Sequence, residues 1–187
     1  MLCTGHNLRY SSVPGPIDSA GESLPNYYDP GVSMEAASDR LQVPTTRLQL
    51  INRRCTMALY VIFSNAMRSA EYLRSTTSDI VGNDRLLIRG AKGSGSYMIE
   101  APGIGIQFRD AHRVHPARFV SGTTYRQLWA ACVRIGLGDI VESRENYART
   151  HAARYRLAQE LSAENTQTVA DALRHRSQRS TLHYMAR

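Results

Sequence analysis

The chain has 187 residues and a formal net charge of +7. That length supports one ordinary core and is marginal for two. The basic balance favours a polyanionic partner, either nucleic acid or an acidic membrane surface. Cys3, Cys55 and Cys132 are an odd, widely spaced set with no pair at metal-ligand spacing. They argue against a disulfide framework and a zinc site. No apolar run approaches a membrane span, and the N-terminus lacks a signal-peptide core. The expectation is a soluble, intracellular (cytoplasmic) protein without a membrane-spanning segment.

Of the 23 basic residues, only Lys92 is lysine. Arginine stays charged at any biological pH, whereas a lysine can be tuned to release a proton. Codon drift would explain a lone lysine; so would chemistry that arginine cannot perform.

Residues 1–45 hold five of the seven prolines, with Ser, Gly and Asn between them. They predict an irregular tail or arm, with Tyr27 and Tyr28 either anchoring it on the body or stacking on nucleic acid. From Thr45 to Phe63 apolar residues recur at steps of three and four (Leu48, Ile51, Cys55, Leu59, Ile62), which predicts a buried helix. Ser64 and Asn65 break it and are candidate caps for a helix beginning near Met67. That helix carries Arg68 in its first turn, with Glu71 as an ion-pair partner or mere surface neighbour. Arg85–Arg89 and Ser96–Ala101 read as two strands joined by the turn GAKGSG, with Lys92 at its tip. The turn is not an NTPase phosphate loop, because Gly93 follows the lysine where Ser or Thr is needed. Residues 102–122 are poorly patterned, and His112 and His115 read as a solvated loop. Thr123–Gly136 predicts an amphipathic helix with Tyr125, Leu128, Trp129, Cys132 and Ile135 inward, a threonine cap and a glycine stop. Three further helices are predicted over Thr150–Leu161, Thr166–Leu173 and Ser180–Met185.

A His and an Arg three apart lie one helical turn apart and can face one anion. The chain has three such pairs, His6/Arg9, His115/Arg118 and His151/Arg154, so the spacing alone says little. The third pair is followed by His175 and Tyr184 and preceded by Arg68 and Lys92.

In that order and context the chain resembles the catalytic domain of the tyrosine site-specific recombinases, the phage-integrase family. The resemblance rests on NAMRSAEYLRSTTSDI (Arg68, Glu71), RGAKGSG (Lys92), THAARYRLAQEL (His151, Arg154) and LRHRSQRSTLHYM (His175, Ser177, Ser180, Thr181, Tyr184). It covers roughly residues 46 to 187. One departure is Arg174, which stands where the family has a glycine before the histidine. The resemblance implies an α+β, mainly helical fold with a small antiparallel sheet, the catalytic domain filling 46–187. It implies DNA strand breakage and rejoining through a 3′-phosphotyrosyl link. The implied catalytic set is Arg68, Lys92, His151, Arg154, His175 and Tyr184, with no cofactor. The implied partners are double-stranded DNA, further copies of the chain (a tetramer on DNA) and, in place of the N-terminal clamp domain that the family carries, a helper protein, with no membrane; the short stretch after Tyr184 departs from the family segment that packs on a neighbouring protomer. Two other readings are a DNA-binding regulator that has lost activity and a type IB topoisomerase-like relaxing enzyme.

Overall fold

The structure is a computed structural model that describes residues 26–90, 95–109, 117–137, 145–161 and 163–186, with backbone alone over 145–152. Lys92, His112, His115 and the first 25 residues lie outside it, as does the side chain of His151.

The predicted arm over 1–45 differs from what is seen from residue 26 onward. Tyr28 is buried, its N–H donating to the Val120 carbonyl (2.6 Å) and its hydroxyl to the Pro102 carbonyl (2.9 Å). Asp29 pairs with Arg53 at 2.6 Å. Gly122, at φ 57°, lies so close beneath this segment that a Cβ there would stand 2.3 Å from the Asn26 carbonyl oxygen. Met34–Leu41 then forms helix α1, capped by the Ser33 hydroxyl on the Ala36 N–H. Its inward residues are only Ala37 and Leu41. One i,i+4 pair between prolines sets up no period, so tertiary packing decides this helix, not its local pattern.

Helices α2 (Thr45–Leu48) and α3 (Arg53–Ser64) divide the long pattern that begins at Thr45. The division falls at Asn52, whose side chain accepts from the Cys55 N–H at 2.9 Å and starts α3. Asn65 ends α3 and does not open the next helix. Helix α4 (Ser69–Leu73) is capped by Arg68 itself. Strands β1 (Ile80–Val81), β2 (Arg85–Ile88) and β3 (Tyr97–Glu100) form an antiparallel sheet in that order, with Leu86 opposite Ile99 and Ile88 opposite Tyr97. A short helix α5 (Ile104–Gln107) follows in the unpatterned region. Helix α6 (Tyr125–Ile135) has the expected ends: a Thr124–Gln127 capping box and Gly136 at φ 71°. Tyr125 is half exposed, unlike its predicted inward neighbours Leu128, Cys132 and Ile135, because it occupies the first helical position, beyond the packed face.

Helices α7 (Glu145–Glu160), α8 (Thr166–Ala172) and α9 (Gln178–Met185) complete the described chain. The fold class is α+β, mainly helical, with a small antiparallel sheet, as predicted. Two apolar clusters hold it. The larger joins α1, α3, α6 and the sheet and takes in Ala153. The smaller joins Tyr155, Ala158, Val169, Leu173 and Tyr184. Helix α7 contributes to both, and Arg154 stands between them. Among the described residues no helix is long and apolar enough to cross a membrane.

Candidate functional site

Arg68 is fixed by a buried carboxylate. Glu71 accepts from the Arg68 backbone N–H at 3.0 Å and from its guanidinium at 2.9 Å. Tyr97 on β3 donates its hydroxyl to the same carboxylate at 3.1 Å. Glu71 is 2% exposed, so this is no surface pair. Both carboxylate oxygens are engaged in orienting the cation, a charge-assisted arrangement stronger than a neutral one.

Arg154 is 1% exposed. One amino group donates to the Ala66 carbonyl at 3.2 Å and the other to the Leu173 carbonyl. These carbonyls lie just past the end of α3 and at the end of α8, where helices leave acceptors unpaired and partial negative charge accumulates. The guanidinium carbon also stands 5.6 Å from the Tyr184 ring centroid. Burial and the Arg68 cation push its proton affinity down; contact with Tyr184 opposes them.

His175 follows directly on the end of α8. Its Nδ1 is 3.1 Å from the Thr181 hydroxyl, and its ring centroid is 5.0 Å from that of Tyr184. Burial, then the Arg154 and Arg68 cations, lower its pKa from 6.5 to about 4. It is therefore a neutral imidazole at physiological pH.

Tyr184, on α9, is 4% exposed and packs against Tyr155 with ring centroids 4.5 Å apart. The Tyr155 hydroxyl pairs with His183 Nε2 at 3.1 Å, which joins α7 to α9 on either side of Tyr184. A cavity of about 420 Å³ opens here, lined by Arg68, His175, Ser177, Arg179, Ser180, His183 and Tyr184. Among the described residues the lining holds guanidiniums, imidazoles and hydroxyls and no carboxylate. It is a surface for an anion.

Of the residues singled out in the sequence, Arg68, His175 and Tyr184 share this wall, and Arg154 lies behind it against Tyr184. His151 is on α7, with its side chain outside the described residues; Lys92 is outside them altogether. Sequence reasoning missed Arg179, His183 and Tyr155. Arg179 and His183 are four apart on α9, so helical spacing beside Tyr184 could have found them. Tyr155 carries no such signal, because its partner is 28 residues away.

In structure, the chain is similar to solved site-specific recombinases. A XerH site-specific recombinase bound to a difH substrate in a pre-cleavage complex matches 90% of this chain and 55% of its own, at 19% identity and a TM-score of 0.48. A XerA recombinase matches 87% of this chain and 59% of its own, at 15% identity and 0.48. A lambda integrase dimer bound to a COC′ core site matches 89% and 62%, at 13% identity and 0.47. The chain thus spans between 55% and 62% of the length of these three structures. No family model and no curated protein matches its sequence.

Proposed function

We propose that this chain breaks and rejoins DNA strands in site-specific recombination, with Tyr184 as nucleophile. The observation that carries the reading is the 420 Å³ cavity in which Arg68, His175 and Tyr184 meet, with no carboxylate among its described lining residues. The phosphate of a DNA strand sits among Arg68, Arg154 and His175, whose N–H groups stabilise its non-bridging oxygens as charge builds in the transition state. The Tyr184 oxygen bonds to phosphorus, the bond from phosphorus to the 5′-oxygen breaks, and a 3′-phosphotyrosyl link results. The phenol proton passes to His151, which orients the hydroxyl. Lys92 gives a proton to the departing 5′-oxygen, a task for which arginine is poorly suited. Glu71 and Tyr97 hold Arg68 in place. The bond energy stays in the protein link, so rejoining needs no nucleotide cofactor. The catalytic residues lie within 46–187, and the chain acts as a tetramer on two duplexes.

One observation favours a second reading, a DNA-binding regulator of the same fold. Both terminal amino groups of Arg154 are engaged by main-chain carbonyls, which suits a structural role. A nicked suicide duplex drawn from the sequence flanking the coding region separates the two. Incubated without metal or ATP, the wild-type chain should give a protease-sensitive adduct on a denaturing gel. Tyr184→Phe should bind the duplex and give none. Salt-sensitive binding with no adduct from the wild type would favour the regulator, and an adduct persisting in Tyr184→Phe would reject the nucleophile.

A further inference from the structure

The contact between His175 and Thr181 fixes more than a ring position. Nδ1 and Oγ1 are 3.1 Å apart, and either atom is able to donate. Thr181 is fully buried on α9. Among the described residues its hydroxyl has no other hydrogen-bond partner. If the imidazole donated, the hydroxyl proton would be left buried without an acceptor, an arrangement that folded proteins avoid. If the threonine donates, both atoms are satisfied. Nδ1 is then the lone-pair nitrogen.

A histidine with a lone pair on Nδ1 carries its proton on Nε2. It cannot be an imidazolium, because a protonated Nδ1 would face the hydroxyl donor. The environment agrees: burial and the Arg154 and Arg68 cations hold the ring neutral down to a pKa of about 4. No described residue engages Nε2, and His175 lines the cavity. The ring edge opposite Thr181 is therefore a neutral N–H donor. In a site already holding two guanidiniums, a neutral donor adds a hydrogen bond without adding like-charge repulsion.

We propose that Thr181 is a positioning residue that locks His175 in the Nε2–H tautomer, making it a donor to a phosphate oxygen and preventing it from taking the proton of Tyr184. The tautomer stands on the hydrogen-bond geometry; the phosphate clause rests on the recombinase reading above. The lock also leaves proton acceptance from the tyrosine to a group other than His175.

The test is long-range ¹H–¹⁵N correlation on the full chain with ¹⁵N-labelled histidine at neutral pH, the His175 signals identified by their loss in His175→Asn. The wild type should show a protonated Nε2 and a lone-pair Nδ1. An Nδ1–H tautomer or an imidazolium pattern would overturn the proposal. This spectrum needs no Thr181 variant, so a substitution that fails to fold does not shield the idea. Thr181→Val, which keeps the branched shape and loses the hydroxyl, should let Nδ1–H appear and slow adduct formation by about tenfold. Thr181→Ser should restore both. An unchanged tautomer in Thr181→Val would remove Thr181 from the role. A wild-type chain that shows the Nε2–H tautomer yet forms no adduct would sink the recombinase reading and the phosphate clause with it, leaving the lock itself established.

Discussion

Arg174 occupies a backbone position that favours glycine. Its φ is 56°, and it stands just past Leu173, the C-cap of α8. Its N–H donates to the Asp171 carbonyl and that of His175 to the Ala170 carbonyl, the paired closure of a left-handed helix C-terminus. A side chain in that conformation costs about 1 kcal/mol relative to glycine. The guanidinium offsets the strain by lying 3.9 Å from the Tyr97 ring centroid and donating to the Asn65 carbonyl at 3.2 Å. Tyr97 in turn holds Glu71, which holds Arg68, so the residue that departs from the family pattern supports the far wall of the site. The departure was legible in the sequence; the stacking partner was not, because it lies on another element. The usual helix rule then inverts: Arg174→Gly should be more stable than Arg174→Ala by about 1 kcal/mol in chemical denaturation. An alanine variant equal to or more stable than the glycine variant would mean that the turn carries no strain.

Helix α7 is the element on which the site depends, and Arg154 shows why. Ala153 faces the large apolar cluster while Tyr155 and Ala158 face the small one. Arg154, between them, ties the ends of α3 and α8 together through two carbonyls. Removing the guanidinium strands both acceptors in a dry place. Arg154→Ala should therefore lose about 3 kcal/mol of stability, counting roughly 1–3 kcal/mol for each buried group left unsatisfied. A loss below about 1 kcal/mol would show that water reaches those carbonyls. Adduct formation should vanish as well, measured at a temperature where the variant is still folded. Helices α3 and α6 were legible through a long apolar stripe and a recognisable cap, and α7, α8 and α9 also stand where the sequence pattern put helices. Helix α1 was not legible, because two inward residues make no period. The sequence pattern placed a helix over Thr150–Leu161. It could not reveal that Arg154 is buried, since an arginine is inside only when its partners are, and those partners are 88 and 19 residues away.

At the scale of the whole molecule, charge is the property that composition announced and the fold then concentrates. Arg68 and Arg179 line one cavity, and Arg154 backs it. The carboxylate that meets Arg68, Glu71, is fully engaged by it and by Tyr97. The gathering of sequence-distant residues was legible only as an order of short motifs, because nothing local draws Arg68 to Tyr184. It is α7, packed on both clusters, that closes the distance. Arginine supplies 22 of the 23 Lys and Arg side chains and keeps its charge at any biological pH, so duplex binding should respond strongly to salt. The affinity of Tyr184→Phe for duplex DNA, followed by fluorescence anisotropy against salt concentration, should fall along a straight double-logarithmic line. Arg179→Ala in that background should flatten the slope by about one unit and weaken all sequences alike, as expected for a lost phosphate contact. A weakening confined to one sequence would assign Arg179 to base reading instead. An unchanged slope would put Arg179 outside the DNA contact and shrink the proposed phosphate surface to Arg68 and the residues packed around Tyr184.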